Sequence, residues 1–414
     1  MNESRLMITG VSAICSLGSG RQAIVEGLRR EADGFSSRPA PAWMSGRVSQ
    51  AGKPVPPSTM TAAWAPDFKP SPAIPPMKAR RMDRSAQMTI VAARAALDQA
   101  GWDVAREGPA ALGIFIGSGF CGTHSALSSV RTVCAQGAEE ASAAAFPNTV
   151  PNAPAGQLAI FFGIEGPSAT LLQTGTTADG ALDCAREQLA LGQCRAALWG
   201  GVDELSEYLW FGWRRLGWVG DPSPDRPYGR PLDPQSRGFV AGEAAAVLLV
   251  ELEAGARLRN TRPPAAIEYA ATAAVEALPW AYPDGDQVER AAAFLAAAVD
   301  AAGIPDLVLG CANGHPRLDR FETDVLARVI GDRAPVWFPK GQVGEGMAST
   351  ALRATLAVWL IEEGFVPANF WLRPNPPVSS LTVPVESLER PINRVLIPTV
   401  SAGGTLGAVV IGRV

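Results

Sequence analysis

The chain alternates short, mainly apolar runs with stretches of helical periodicity over most of its length. "RLMITGV" (5–11) and "LGIFIG" (112–117) are runs of the kind that form buried strands. "SAQMTIVAARAALDQAG" (85–101) spaces its apolar residues three and four positions apart and closes on Gly101, which predicts a helix. Because such strands and helices alternate, the pattern predicts a layered α/β fold.

The second part of the chain repeats this mixture. "VERAAAFLAAAVDAAG" and "MASTALRATLAVWLIEEG" predict helices that each close on a glycine, and "DLVLGC", "RVLIPTV" and "GAVVIGRV" predict strands. Residues 36–80 are the exception, because their prolines and serines predict a long surface loop. We place the division near residue 258, with an N-terminal half over 1–258 and a C-terminal half over 259–414.

Composition and charge exclude several classes of protein. The 414-residue chain is 47% hydrophobic and 18% charged, with a net charge of −4 and no block of like charge, so we expect neither a nucleic-acid nor a membrane partner. No apolar run approaches the roughly 20 residues of a membrane helix. The N-terminus has no basic leader pattern, which predicts a cytoplasmic protein. Six cysteines without a CxxC pair predict free thiols rather than disulfides or a metal site.

One strand-to-helix turn stands out, within "GPSATLLQTGTTADGALDCA" (166–185). Enzymes often hold a nucleophile at such a turn, because the helix N-terminus stabilises negative charge. Here the tip residue is Gly175, which has no side chain. The chain has only two histidines, His124 and His315, that could serve as the general acid or base.

Four stretches together resemble the β-ketoacyl synthase (condensing enzyme) family. They are "FPNTVPNAPAGQLAIFFGIEGPS" (146–168), "RPLDPQSRGFVAGEAAAVLLVELEAGARLR" (230–259), "KGQVGEGMAST" (340–350) and "SAGGTLGAVVIGRV" (401–414). They stand in the family's order, so the resemblance covers nearly the whole chain. It implies the thiolase fold, an α/β architecture of two similar βαβαβ-type halves in five α-β-α-β-α layers. It also implies a dimer and acyl substrates carried on the phosphopantetheine arm of acyl carrier protein, with no other cofactor and no metal.

The resemblance also implies that the family's three catalytic positions are changed. The nucleophilic cysteine falls on Gly175, nine residues after Gly166, and the two histidines fall on Cys311 and Glu345. A carboxylate at position 345 would repel both the malonyl carboxylate and the developing enolate. We therefore expect no catalytic residue. A shift of two residues would place Gln173 at the nucleophile position, as in some relatives that lost the cysteine, but the flanking spacing argues against it.

Other residues match positions near the family's substrate pocket. Lys340 matches a lysine near the site and is expected to pair with Glu345, and Ala402 replaces the family's gating phenylalanine. Asn313 lies in the same loop as His315, which aligns with a threonine near the pantetheine arm. His315 has two interpretations, a displaced catalytic base or a hydrogen-bonded loop residue, and the missing nucleophile favours the second.

Two phenylalanines fall near the acyl tunnel to which, in this family, the partner subunit contributes. Phe120 follows a "GSG" turn and falls where a bulky side chain would block or shorten the partner's tunnel, and Phe146 is assigned to the same region. The alternative is that both residues only pack the dimer core. His124 is expected to be structural or to lie at an interface.

These features predict a non-catalytic subunit of the chain-length-factor type. It would form a heterodimer with an active ketosynthase, act with acyl carrier protein and shape chain length in polyketide, aryl polyene or specialised fatty acid synthesis. We expect no activity from the chain alone. Two alternatives stay open. One is a repurposed malonyl decarboxylase or acyltransferase that uses Cys311, His315 or Glu345, and the other is a homodimeric scaffold that binds acyl carrier protein.

Overall fold

The computed structural model describes residues 5–44, 59–65, 68–220, 229–373 and 380–414. The strands in these ranges are β1 (Leu6–Cys15), β2 (Gly18–Ser19), β3 (Ser36–Pro39), β4 (Thr59–Ala62), β5 (Leu112–Gly117), β6 (Ser168–Leu171), β7 (Ala196–Asp203), β8 (Ala244–Leu252), β9 (Ala265–Ala274), β10 (Leu307–Leu309), β11 (Val336–Trp337), β12 (Phe365–Val366), β13 (Leu388–Glu389), β14 (Arg394–Val400) and β15 (Thr405–Arg413). The helices are α1 (Gly20–Arg29), α2 (Pro76–Ala79), α3 (Arg84–Ala100), α4 (Val104–Glu107), α5 (Thr123–Gln136), α6 (Ala153–Phe162), α7 (Thr177–Ala190), α8 (Glu207–Arg215), α9 (Glu253–Leu258), α10 (Val288–Ala302), α11 (Pro316–Val329), α12 (Lys340–Val343) and α13 (Ser349–Glu363).

The elements predicted from the apolar pattern are present. The helix expected to close on Gly101 is α3, whose first turn is capped by the Asp83 carboxylate accepting the N–H of Ala86 at 2.8 Å. Gly101 has a φ of 61° at the other end, a conformation that glycine adopts without strain. No helix within the described ranges is both long and apolar enough to cross a bilayer.

Apart from β2, which pairs only with β1, the main sheet consists of two blocks of five strands with the same topology. The N-terminal block has the order β6-β5-β7-β8-β1 and the C-terminal block the order β11-β10-β14-β15-β9. In each block the first three strands are parallel, and the last two are antiparallel to their neighbours. A three-residue antiparallel pairing between β1 and β9 joins the blocks. The predicted boundary at residue 258 lies at the end of α9, between β8 and β9, and the division into halves over 1–258 and 259–414 stays a prediction.

The helices lie in three layers around the two blocks. Helices α7 and α13 form the middle layer, because their apolar residues share one core with strands of both blocks. Helices α3 and α6 cover the outer face of the N-terminal block, and α10 and α11 cover that of the C-terminal block. This is the α-β-α-β-α arrangement of the thiolase fold, and the predicted fold class is confirmed.

The prediction of a surface loop over residues 36–80 is wrong for much of its described part. Strands β3 and β4 pair in an antiparallel ladder, and Met60, Ala62 and Trp64 are buried. Proline and serine content predicts turns, but it does not detect a short strand whose apolar residues reach the core. Residues 45–58 and 66–67 of this segment lie outside the described ranges.

Candidate functional site

The turn at the aligned nucleophile position lies between β6 and α7. The Gly175 N–H donates a hydrogen bond of 2.7 Å to the Ser401 hydroxyl. A Cβ added at Gly175 would lie 3.4 Å from the Cβ of Ser401, which is an ordinary van der Waals contact, and the φ of Gly175 is not in the left-handed region. The backbone therefore does not require glycine here, and the turn could carry a side chain.

The turn between β14 and β15 packs over Gly175. The Thr174 hydroxyl bonds to the Ser401 hydroxyl and donates to the Ala402 carbonyl at 2.7 Å, and the Thr176 hydroxyl donates to the Thr405 hydroxyl at 2.9 Å. A hydroxyl becomes a nucleophile only beside a general base. Serine, threonine and carbonyl oxygens are not such bases, so the threonines of this turn lack the activation that acyl transfer needs.

Cys311, at the first aligned histidine position, lies just after β10 and is fully buried. Its backbone N–H donates to Glu322 Oε1 at 2.7 Å. Burial, followed by the negative charge of Glu322, raises the pKa of the Cys311 thiol well above its ordinary value. The thiolate is the reactive form of cysteine, so this environment counts against the alternative in which Cys311 carries chemistry.

Glu345, at the second aligned histidine position, is buried in an ion pair. Its Oε2 lies 2.7 Å from Lys340 Nζ and accepts a hydrogen bond of 2.6 Å from Asn313 Nδ2. Both Glu345 and Lys340 are buried, so the expected pair between them is present and shielded from water. The lysine charge is matched inside the chain, which leaves it no excess positive charge for an anionic substrate.

Two carboxylates of α11 hold the loop that contains Cys311, Asn313 and His315. Asp319 and Glu322 are three residues apart, so they project from the same face of the helix. Asp319 accepts the N–H groups of Asn313 and Gly314, both at 3.0 Å, while Glu322 binds the loop at Cys311. Burial raises the pKa of Asp319 to about 7. The loop is therefore fixed by the helix that follows it.

His315 lies immediately before α11, against Tyr282, with ring centroids 5.0 Å apart. Its backbone N–H donates to Asn313 Oδ1 at 2.9 Å, whereas its buried Nδ1 has no hydrogen-bond partner among the described residues. Burial and the nearby Arg317 lower the pKa of His315. The side chain is thus biased towards the neutral form, and in the described ranges no hydroxyl or thiol is paired with it for activation.

Phe120 belongs to an aromatic cluster of six residues. Their ring centroids are 5.4 to 6.4 Å from their neighbours in the cluster, a range that favours edge-to-face and offset contacts. Phe120 lies 5.4 Å from Trp213 and 6.4 Å from Trp280, and Tyr282 connects the cluster to His315. The members of the aromatic cluster are Phe120, Trp213, Trp218, Phe239, Trp280 and Tyr282.

The structure brings some of the singled-out residues together and separates others. Lys340, Glu345, Asn313 and His315 form one connected network, while Ala402 joins the Gly175 turn. Ala402 and Phe120 also border the same hydrophobic core, which contains Cys311.

Phe146 and two other residues lie apart from that network. Phe146 is 69% exposed on a single helical turn and is not in the aromatic cluster. Gln173 and His124 are exposed, and His124 lies 6.0 Å from the ring of Tyr208.

Sequence reasoning did not identify Ser401, Tyr282, Asp319 or Glu322 as parts of the site. The i, i+3 spacing of the two acidic residues, among the apolar Leu318, Phe321 and Val325 of the same stretch, could have indicated that they share one face of a helix. Ser401 gave no such signal, because its partner Gly175 is 226 residues away in the chain. Within the described ranges, no group of three or more His, Cys, Asp or Glu side chains is placed to hold a metal ion.

The family model for the beta-ketoacyl synthase N-terminal domain matches residues 3–256. The chain is 26% identical over 422 residues to nodulation protein E of Rhizobium sp. (strain N33), with 99% of each covered. It is also 26% identical over 427 residues to 3-oxoacyl-[acyl-carrier-protein] synthase 2 of Coxiella burnetii (strain RSA 493 / Nine Mile phase I), with 100% of each covered.

Solved structures share the fold over nearly the whole length. The chain is similar to a β-ketoacyl synthase from Burkholderia phymatum STM815, with a TM-score of 0.85, 23% identity, and 99% of this chain and 100% of that one covered. It is also similar to the ishigamide ketosynthase/chain length factor, with a TM-score of 0.82, 24% identity and 99% of each chain covered.

Proposed function

The chain belongs to the β-ketoacyl synthase family, and within that family we propose that it is a non-catalytic subunit of the chain-length-factor type. It pairs with an active ketosynthase and shapes the acyl or polyketide chain that grows on acyl carrier protein. It needs no cofactor, because the substrate arrives on the phosphopantetheine arm of the carrier. The products fall among polyketides, aryl polyenes and specialised fatty acids.

The observation that carries this proposal is the state of the nucleophile position. Gly175 offers no side chain, and its N–H is already bound to Ser401 inside the chain. Condensation requires a nucleophile that accepts the acyl group from its thioester, and no thiol or activated hydroxyl stands at this turn in the described structure. The other two aligned positions hold a buried neutral thiol, Cys311, and a paired carboxylate, Glu345.

An exposed apolar surface supports the pairing with a second subunit. Helix α5 has no buried residue in the single chain, although Leu127 and Val130 are apolar. Strand β6 ends the order of the N-terminal block, so its outer edge pairs with no other described strand. We call the exposed side chains Leu127, Val130, Phe146, Ile160 and Leu172 the apolar surface. We propose that these side chains lie in the interface with the partner, because large apolar side chains are often buried at subunit interfaces.

Phe120 is the residue that we assign to chain-length control. Its ring is held between Trp213 and Trp280, so it cannot move without disturbing two neighbours. A rigid side chain makes a defined end to a tunnel, because packed interiors resist overlap. Phe146 belongs instead to the apolar surface, where it would contact the partner subunit.

The test is co-expression of the chain with an active ketosynthase from the same pathway, followed by size-exclusion chromatography with mass determination. We expect a one-to-one heterodimer that elongates acyl chains on carrier protein, while this chain alone does not. Leu172→Arg, on the apolar surface, should abolish the heterodimer. Leu258→Arg is the matched control, because Leu258 is 88% exposed at the end of α9, outside that surface.

Two other outcomes would replace the proposal. A stable homodimer that ignores the ketosynthase and still binds acyl carrier protein would favour the scaffold alternative. Release of carbon dioxide from malonyl carrier protein by this chain alone would favour a decarboxylase, and His315 and Glu345 would then be the residues to substitute. The buried position of Cys311 speaks against it as the reactive group in that case.

A further inference from the structure

The carboxyl group of Asp203 joins two segments that are far apart in the chain. Asp203 is the last residue of β7 and is 4% exposed. Its Oδ1 accepts the N–H groups of Gly119 and Phe120, at 2.9 and 3.1 Å, in the segment that follows β5. Its Oδ2 accepts the N–H of Ala348 at 2.7 Å, immediately before α13. One buried side chain therefore holds both segments by their backbones.

The two segments are also in direct contact. A Cβ added at Gly119 would lie 2.4 Å from the Cβ of Met347, so the close approach of the two segments requires glycine at this position. Met347 follows two residues after Glu345, which is paired with Lys340. The backbone of Phe120 is thus fixed relative to the segment that carries Glu345.

The ring of Phe120 is held by different contacts from those of its backbone. It lies edge-on to Trp213, at 5.4 Å, and is stacked near Trp280, at 6.4 Å. Aromatic pairs tolerate a range of offsets, so these contacts restrain the ring less sharply than a directional bond would. Hydrogen bonds from backbone N–H groups to a carboxylate are shorter and stronger than neutral ones. The contacts of Asp203 therefore define where the Phe120 residue stands.

The residues on either side of Gly119 and Phe120 have anchors of their own. The Ser118 N–H donates to the Leu171 carbonyl of β6 at 3.0 Å. The Cys121 N–H donates to the Ser118 hydroxyl at 3.0 Å. These bonds do not involve Asp203, so a change at Asp203 should move Phe120 while the ends of the segment stay in place.

The charge of Asp203 allows it to bind all three N–H groups. Burial raises the pKa of Asp203 to about 6, although its hydrogen bonds act in the opposite direction. The carboxyl group is therefore mainly ionised at neutral pH, and both of its oxygens can accept. Asp203→Asn keeps the size of the side chain but leaves a single acceptor oxygen, because an amide NH₂ group cannot accept from an N–H. The variant thus loses one of the two segments.

We propose that Asp203 is a positioning residue for Phe120, and that it sets the depth of the tunnel end that Phe120 forms. It acts through the backbone of Phe120 and does not touch the acyl chain. This role rests on the proposed function, because the length of a product is defined only in the heterodimer with an active ketosynthase. It extends that function by the residue that determines where the tunnel ends.

The test uses the full-length chain in its heterodimer, with the carrier-bound products released and their lengths measured by mass spectrometry. Phe120→Ala removes the tunnel end and should lengthen the products. Asp203→Asn should raise the share of products longer than those of the wild type by about threefold or more, the effect of weakening one hydrogen bond. The total amount of product should stay close to the wild-type amount, whereas a general loss of folding would lower the amount without changing the lengths.

The double variant Phe120→Ala with Asp203→Asn shows whether Asp203 acts through Phe120. Without the ring there is no tunnel end to displace, so we expect the double variant to give the same lengths as Phe120→Ala alone. Further lengthening in the double variant would overturn the role of Asp203 and leave the proposed function standing. The same holds if Asp203→Asn changes nothing while Phe120→Ala lengthens the products. Unchanged lengths in Phe120→Ala itself would overturn both.

A matched control and a second variant complete the test. Asp306→Asn is the control, because Asp306 Oδ2 also accepts two backbone N–H groups, those of Asn393 and Arg394 at 2.8 and 3.0 Å. It should leave the product lengths unchanged. Asp203→Glu covers the case in which Asp203→Asn does not fold, since it keeps the charge but moves both oxygens by one methylene group. Wild-type product lengths in a folded Asp203→Glu heterodimer would contradict the role of Asp203.

Discussion

The Gly175 region and the acid pair formed by Asp83 and Glu204 treat their polar groups in opposite ways. At the aligned catalytic positions, the Gly175 N–H is bound by Ser401 and Glu345 is held by Lys340 and Asn313. In the acid pair, Glu204 Oε1 and Asp83 Oδ2 are buried and no described residue donates a hydrogen bond to them. The first region satisfies its polar groups inside the chain, whereas the second leaves two carboxyl oxygens without a described donor.

This difference shows two ways in which one chain accommodates buried polar groups. A buried charge is tolerated when it is paired, and pairing also removes its availability to a substrate. A buried carboxyl group without a cationic partner avoids the cost of an unpaired charge by keeping its proton, and burial accordingly raises the pKa of both Glu204 and Asp83. Resemblance to a family identifies the first region, and only the geometry identifies the second.

The largest expected effect comes from breaking the ion pair. Glu345→Ala leaves the ammonium group of Lys340 buried without its carboxylate, and we expect the free energy of unfolding to fall by about 3–5 kcal/mol. Urea denaturation measures this change. The double variant Lys340→Met with Glu345→Leu should recover most of the loss. A single variant as stable as the wild type would mean that the pair does not stabilise this region.

The next effect is a pH dependence of stability that distinguishes the acid pair of Asp83 and Glu204. The pKa of Glu204 is raised from 4.5 to about 8 in the folded chain, so the folded state binds a proton that the unfolded state has lost. Its contribution to stability is therefore present below pH 4.5 and is lost as the pH rises through 8. This single group changes the free energy of unfolding by at most about 1.4 kcal/mol per pH unit.

Glu204→Gln should flatten this slope between the two pKa values, as measured by denaturation at a series of pH values. Glu276→Gln, on an exposed side chain, should leave the slope unchanged. Asp179, Asp203 and Asp319 also have raised pKa values, of about 6, 6 and 7, so they contribute slopes of the same sign that persist in both variants. An equal slope in the wild type and in Glu204→Gln would contradict the buried state of this carboxyl group.

A smaller loss of stability is expected where the turn at Gly175 meets the turn at Ser401. Ser401→Ala removes the acceptor of the Gly175 N–H and one hydrogen-bond partner of Thr174, so we expect a loss of about 1–2 kcal/mol. Thermal denaturation of the purified chain measures it. Ser129→Ala is the control, because its hydroxyl bonds only to its own helix at the Ser125 carbonyl. Equal losses of stability in Ser401→Ala and Ser129→Ala would show that the contacts of Ser401 with the Gly175 turn stabilise the chain no more than a hydrogen bond within one helix.

The smallest change in stability is expected when a side chain is added at Gly175. Gly175→Cys should change stability by about 0.5 kcal/mol or less, because the new Cβ meets only ordinary contacts. Gly166→Cys is the matched control and should be strongly destabilising, since its Cβ would lie 2.1 Å from the Leu112 carbonyl oxygen. If Gly175→Cys failed to fold, the turn would have lost the space for a nucleophile as well as the residue.

Much of the fold could be predicted from local pattern, but not all of it. The strongly periodic helices and the Val- and Ile-rich strands were predicted, because burial of one face imposes a period on the sequence. Strand β9 was not predicted, since its many alanines fit a helix as well as a strand. Helix α11 was not predicted either, because its sequence was considered only as part of a catalytic loop.

For the site, too, contacts between residues close in sequence could be predicted, and contacts between distant segments could not. The Gly175 turn and the pair between Lys340 and Glu345 could be inferred because each lies within a few residues of sequence. Contacts such as Ser401 with Gly175, or Ser85 with Glu204, join distant segments and have no local signature. The residues that complete both regions therefore appeared only in the folded structure.

The central claim is that this chain cannot take up an acyl group, and the mass of the intact protein tests it most directly. The purified chain is incubated with acyl-loaded carrier protein and weighed, with Gly175→Cys as the control that restores the family's nucleophile. We predict an unmodified wild-type chain, with any acyl adduct confined to the introduced thiol. An acyl adduct on the wild-type chain, mapped to Thr174, Thr176 or Cys311, would contradict the claim.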